Sequence, residues 1–364
     1  MKKTLNFVVL AGLLLAVSAA QATIRYVSAS GAGAYTLPSA ALAAAVAGDT
    51  ILIGPGTYSE ASQVVVTKRL TWIGAGWDQT IFNLGSHFNF NNSLATGSTF
   101  EGIQFNTANG IAFYNPTVNC DSITARRCLF SGGTSFEAIR WQATGGRLYL
   151  EDCVVLQNYQ FQNAITGPRA GGAFRNCVFA SNVTPGVGNS WAIGEATAAT
   201  GVLEVYNSVF LNWNALFQIT SGSPSSIIIN NAAFDFNGTG QTWGTLPGSS
   251  VIDYSASVGP AAPGTHPVTI VGNPFVNYDT SLNYVIGTTN LHLTGGSNLI
   301  NAGNPGILDL DASVSDIGAY GGPRPLIDNG VPNYPWAVNI VTTPNVVGQG
   351  TPVNASALGR VGPQ

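Results

Sequence analysis

Charge is what this sequence has least of. Asp, Glu, Lys and Arg together make up 8% of the 364 residues, against roughly 25% in an ordinary soluble domain. Lysine is nearly missing, with Lys2, Lys3 and Lys68 its only representatives. A nucleic-acid or anionic-lipid partner needs a basic patch, and the sequence holds none. The four cysteines, Cys120, Cys128, Cys153 and Cys177, include no C-x₂-C pair, which argues against a zinc site. His87, His266 and His292 stand far apart, without the spacing of metal ligands or a triad. After residue 22 no run approaches 18 consecutive apolar residues, so the mature chain has no transmembrane segment. Disorder is excluded as well, because apolar residues make up 45% of the chain. What remains abundant is glycine, at 44 residues. A many-stranded fold, with a surface of Asn, Thr, Ser and Gly turns, tolerates this composition.

The first residues read as an export signal rather than as part of the fold. Lys2 and Lys3 precede an apolar stretch of 11 residues, Phe7 to Val17, too short to span a bilayer as a helix. Ala20-Gln21-Ala22 supplies an A-x-A cleavage pattern, so residues 1–22 are expected to be a signal peptide. The mature chain then carries 11 basic and 17 acidic residues, a net charge of about −6. The expected location is periplasmic, extracellular or on the cell surface. Export permits disulfides.

One pattern recurs through the middle of the chain. Phe100-Glu101-Gly102-Ile103-Gln104-Phe105 is followed by units ending at Phe130, Val155, Phe179, Phe210 and Phe234, at separations of 25, 25, 24, 31 and 24 residues. Each unit has an apolar residue, a bend two residues later, and two inward positions one residue apart. That is strand periodicity broken by a short turn. Stacked coils make ladders of like residues. One ladder is Phe105, Phe130, Val155, Phe179, Phe210 and Phe234. Beside it runs Ile103, Cys128, Cys153, Cys177, Ser208 and Ala232. Adjacent coils put the three cysteine α-carbons within disulfide range, although a stack of small buried thiols is the preferred reading. Bends fall at Gly102, Arg127, Asp152, Asn176, Asn207 and Asn231, where asparagine tolerates left-handed backbone and its amides can bond from coil to coil. Asp152 and Arg127, on adjacent coils, are expected to form a surface ion pair.

A second strand recurs at Ile111, Ile139, Ile165, Ile193 and Phe217. Two short strands per coil point to an all-β, right-handed parallel β-helix, a solenoid in which each coil touches only its neighbours. A β-sandwich would not demand like residues at a constant offset. A short capping helix is expected over Ser39–Ala47, with Thr36 as N-cap, Pro38 in the first turn and Gly48 as the stop.

Ala47-Gly48-Asp49-Thr50-Ile51, Pro55-Gly56-Thr57-Tyr58-Ser59-Glu60 and Lys68-Arg69-Leu70-Thr71-Trp72-Ile73-Gly74 closely resemble the opening of bacterial β-helix repeat proteins of the pectin-lyase-like superfamily. Ser297–Gly303 and Asp316–Gly322 resemble the closing coil of such proteins. The resemblance covers about residues 23–323 and leaves 324–364 as a C-terminal tail or partial β extension. It implies fold more than activity, since the superfamily holds lyases, hydrolases, esterases, epimerases, adhesins and many proteins of no known activity.

Polysaccharide-cleaving members work on the outer face of one parallel sheet. The pectate lyases hold Ca²⁺ there with carboxylates, and the hydrolases use paired carboxylates. Here the corresponding outward stripe is expected to be Ala112, Tyr114, Arg140, Gln142, Thr166, Gly194, Gln218 and Thr220. It contains no carboxylate, and only a register error of one residue brings out Glu137 or Glu195. The expectation is therefore an exported, non-catalytic scaffold for surface or extracellular binding of polysaccharide or cell-surface glycan. Tyr114, Arg140, Gln142 and Gln218 are its ligand-binding candidates, and no catalytic residue is assigned. Tyr114, Tyr149, Tyr159, Tyr206 and Trp213 are candidate surface aromatics for stacking on sugar. The alternative is a lyase or hydrolase with its site in a long connection such as Pro185–Thr200. No cofactor is required, but Asp309, Asp311 and Asp316 form the densest acidic cluster. They are candidate ligands for a stabilising Ca²⁺ near the C-terminal cap, against a plain role as turn residues.

Overall fold

The computed structural model describes residues 22–108, 110–159, 163–183, 191–194, 201–219, 226–230, 233–235, 242–259, 261–278, 283–331, 335–343, 348 and 350–361. Residues 1–21, most of the expected signal peptide over 1–22, lie outside them, as do Thr220, Asn231 and Ala232.

The repeat folds as read: a parallel β-helix, right-handed as parallel crossovers are. Three parallel sheets run along it. Sheet A has ten strands, from Ile24–Val27 to Val251–Asp253. Sheet B also has ten, from Gly56–Glu60 to Val268–Thr269, and sheet C has eight, from Val64–Val65 to Thr242–Thr245. One coil shows the path: Ile123–Arg126 in sheet A, a bend at Arg127, Leu129–Ser131 in sheet B, then Ile139–Trp141 in sheet C.

The aromatic ladder is in register. Tyr58, Phe82, Phe105, Phe130, Val155, Phe179 and Phe210 pair rung to rung, and the backbone register continues to Phe234. Every side chain from Phe82 to Phe210 in this row is fully buried. Phe105 and Phe130 stack with ring centres 5.2 Å apart, and Phe179 and Phe210 at 4.9 Å. Cys128, Cys153 and Cys177 are buried free thiols on the neighbouring ladder. Their sulfurs donate to backbone carbonyls, as Cys128 does to Arg126 at 3.2 Å.

The bends have the left-handed backbone expected of them. Gly102, Arg127, Asp152, Asn176 and Asn207 all have φ between 44° and 63°. The asparagine amides, however, do not bond along the ladder. Asn176 Nδ2 donates to the carbonyls of Ala319 and Gly321, and Asn207 Nδ2 to Ser315 Oγ and the Asp316 carbonyl. The expected Asp152–Arg127 pair is replaced too, because Arg127 pairs instead with Glu101, one coil back.

Those long-range bonds correct the reading of the C-terminal part. Asp316–Gly322 does not close the last coil but lies on the bends of earlier ones, at Asn176 and Asn207, whereas Asn298 of Ser297–Gly303 meets the last sheet B strand, its Nδ2 donating to the Thr269 carbonyl at 2.7 Å. Residues 270–278 and 283–331 form a strap laid along the outer face of sheet B. Leu129, Val154, Leu156, Val178, Ala180, Val209 and Leu211 point outward from that sheet, and Phe275, Tyr278, Leu291, Leu299, Ile317 and Leu326 cover them. The two faces of sheet B are thus both apolar, one toward the coil interior and one toward the strap. The strap reaches the early coils, where Trp77 N donates to the Asn329 carbonyl. Beyond it, Trp336–Thr343 and Asn354–Arg360 pair as an antiparallel hairpin.

The capping helix is shorter than expected, Pro38–Ala44, with an extended Leu37 in the N-cap position in place of Thr36. Lys68 ends it early: its Nζ donates to the carbonyls of Leu42 and Ala45 at 3.0 and 2.6 Å. Lys68, the one lysine after residue 22, thus meets the negative end of the only α-helix among the described residues. No helix among those residues is long and apolar enough to cross a membrane.

Candidate functional site

Strand alternation decides what sheet C offers to a ligand. Its inward row is Phe113, Ile139, Ile165, Ile193 and Phe217. Phe113, not Ile111, is the rung-mate of Ile139. The slip is two residues, so parity survives and the outward stripe is kept. That stripe runs Val65, Asn89, Tyr114, Arg140, Thr166, Gly194 and Gln218. Ala112 is buried and leaves it.

Tyr114 and Arg140 come together on adjacent rungs. The Arg140 guanidinium sits 6.0 Å from the Tyr114 ring centre and 5.8 Å from that of Phe136. Glu137 fixes it in a forked ion pair, with Arg140 Nη2 donating to Oε2 at 3.0 Å and Nε to Oε1. The Glu137 side chain is buried, at 1% exposure, while that of Arg140 is 27% exposed. The ion pair therefore holds the guanidinium charged, its pKa raised first by the hydrogen bond to Glu137. His87 also packs on Tyr114, ring centres 4.6 Å apart. Burial, and then Arg140, push its imidazole below the usual range. Ser86 Oγ meets His87 Nδ1 at 3.0 Å, and the buried Nε2 has no hydrogen-bond partner. One rung earlier the amides of Asn89 and Gln63 join at 3.1 Å.

Of the other candidates, Gln142 lies two residues past Arg140, half-buried, its N–H donating to the Asn115 carbonyl. Gln218 is three rungs from Arg140, about 14 Å along the axis at the strand spacing, and does not join the patch. Sequence reasoning missed Phe136, His87 and the role of Glu137. The signal was there: His87 precedes Tyr114 by 27 residues, about one coil. Glu137 needs no register error, since a buried carboxylate three residues from Arg140 reaches it directly.

The surface aromatics do not form one platform. Tyr149 and Tyr206 belong to sheet A strands, Tyr114 to sheet C, and Tyr159 follows a sheet B strand. Trp213 is buried, its indole N–H donating to the Phe179 carbonyl at 2.9 Å. Within the long coil, residues 184–190 and 195–200 lie outside the described residues.

Asp309, Asp311 and Asp316 sit in the strap and act on its turns. Asp309 Oδ2 accepts from Asp316 N, Asp311 Oδ1 from Ser313 N and Oγ, and Asp316 Oδ1 from Asn301 N. Asp309 Oδ1 also accepts from Gly322 N. Among the described residues no group of three His, Cys, Asp or Glu side chains is disposed to hold a metal ion.

No family model and no curated protein matches the sequence. Among solved structures, the chain is similar to pectate lyase Pel9A, with a TM-score of 0.39 and 14% identity over 82% of this chain and 96% of that one. It is similar to the pectin methylesterase from Aspergillus niger in deglycosylated form, with a TM-score of 0.31 and 14% identity over 63% and 91%. ORF18 of Geobacillus virus E2 gives a TM-score of 0.29 and 12% identity over 64% and 56%. What the register of sheets A, B and C establishes is the fold, a right-handed parallel β-helix.

Proposed function

We propose that this protein is an exported, non-catalytic β-helix that binds glycan on the outer face of sheet C. The observation that carries the reading is the Tyr114–Arg140–Phe136 stack, locked from beneath by Glu137. Aromatic faces take the C–H faces of sugars, and a pre-positioned guanidinium offers several donors to ring hydroxyls or carboxylates without further ordering. The Asn89, Gln63 and Gln142 amides add neutral donors and acceptors nearby. Glycoside hydrolysis asks for two carboxylates across the scissile bond. Among the described residues of this stripe the one carboxylate in reach, Glu137, gives both oxygens to Arg140; Glu195 lies outside them. Export rests on the Lys2–Ala22 signal pattern.

An immobilised polysaccharide panel tests the reading, with turnover followed by reducing-end and unsaturated-product assays. Binding is expected to at least one polysaccharide without product, and Tyr114→Ala and Arg140→Ala are each expected to weaken it about tenfold. Product formation, or binding indifferent to both substitutions, would refute it.

A further inference from the structure

Carboxylates and arginines do share a groove in this molecule, far from the outer face of sheet C. The edge of sheet A next to the bends carries an outward row in register: Glu101, Arg126, Glu151, Arg175 and Tyr206. The first four alternate in sign, so every charge has an opposite one a coil away. Arg126 Nε meets Glu151 Oε2 at 2.6 Å, and Arg175 Nη2 meets Glu204 Oε2 at 2.6 Å. The strap passes opposite this row without filling the space between. A cavity of about 480 Å³ remains, within the range of small-ligand sites. One wall is Glu151, Asp152, Arg175, Glu204 and Tyr206, and the other is Ile307, Pro323 and Arg324 of the strap.

The chemistry of the walls selects the ligand. The arginines are matched by carboxylates, since Arg324 Nη1 also lies 3.8 Å from Glu151. A polyanion gains little from such a lining and meets Glu151 and Glu204 as repulsion. Forked guanidinium donors beside carboxylate acceptors instead suit vicinal hydroxyls, which donate and accept at once. Ile307, Pro323 and the Tyr206 ring, with Arg175 5.9 Å from its centre, supply an apolar side for C–H groups. We infer that this cavity is a second binding site, independent of the sheet C face, for one or two units of a neutral, hydroxyl-rich saccharide.

Calorimetric titration of the full chain at pH 7 with cellotriose, mannotriose, xylotriose and trigalacturonate tests the inference. At least one neutral trisaccharide is expected to bind. Glu204→Gln, at a half-buried side chain, and Arg324→Ala, at an exposed one, are each expected to weaken it about tenfold, as loss of a charged hydrogen bond does. Melting temperatures confirm that both variants fold. The inference is overturned if no neutral trisaccharide binds, or if trigalacturonate alone binds. It is equally overturned if the affinity falls in Tyr114→Ala while both groove variants keep it, which assigns the ligand to sheet C.

Discussion

Asn176 and Ala319, 143 residues apart, are joined by a buried hydrogen bond of 2.9 Å from the side-chain amide to the backbone carbonyl. The bend makes it possible. With φ at 53° the backbone of Asn176 turns from sheet A into sheet B, and the side chain is directed out of the coil. The amide then also reaches the Gly321 carbonyl at 2.7 Å. One residue thus serves the corner of the coil and the anchor of the strap.

Asn176→Gly separates these roles, because glycine accepts the left-handed backbone and lacks the amide. Two strap carbonyls then lose their buried donor, a cost of about 1–3 kcal/mol. The coil is expected to stay intact while residues 297–322 exchange amide hydrogen faster. Unchanged exchange in that segment would show that the amide does not anchor the strap.

Asp152 links stability to pH. Burial, ahead of repulsion by Glu151, raises its carboxyl from the ordinary 3.8 to about 7, despite Arg127 and Arg324. Because the folded value is the higher one, the native state holds a proton that the unfolded chain releases between pH 4 and 7. Stability from this group is complete below about 4 and is lost as the pH rises through 7. Asp152→Asn is therefore expected to melt higher than the native protein at pH 8, by about 1–2 kcal/mol after allowance for solvent screening. The two melts are expected to converge at pH 4. An equal difference at both pH values would contradict the assignment.

Phe130 tests the ladder. It is fully buried between Phe105 and Phe113, with ring centres at 5.2 and 4.9 Å. Phe130→Ala is expected to cost about 3–5 kcal/mol in chemical denaturation. Phe136 is 42% exposed, and Phe136→Ala is expected to change stability by about 0.5 kcal/mol or less. Similar costs for the two would contradict the inward ladder.

Cys120, Cys128, Cys153 and Cys177 are buried free thiols. Burial raises Cys128 and Cys153 well above the ordinary thiol range and Cys120 to about 12, so little thiolate forms. A thiol reagent is expected to label all four in denaturant and none in the folded protein. Fewer than four in denaturant would reveal a disulfide.

Asp309, Asp311 and Asp316 spend carboxylate oxygens on the amides of Asp316, Gly322, Ser313 and Asn301. A calcium ion would have to compete with those bonds. Melting is expected to be the same in excess calcium and in chelator. A rise with calcium would mean that the strap turns rearrange to bind it.

Much of the coil is legible in the sequence. Each inward residue touches its counterpart one coil away, so the core is written as a repeat of fixed length, and burial on one strand face preserves parity even where the rung assignment slips, as at Ile111 and Phe113. For the same reason Tyr114 and Arg140 were visible on the outer face. Glu137 was not, because its partnership with Arg140 depends on the path of a loop rather than on strand alternation.

By itself the sequence determined the stacked coils, their bends and the aromatic centre, since all of these repeat between near neighbours in the chain. Only the tertiary structure decided where the strap goes, which arginine meets which carboxylate, and that a cavity stays open beside Tyr206. The strap crosses the coils and does not belong to their repeat. Contacts such as Asn176 with Ala319 therefore occur once, at separations that no periodicity records.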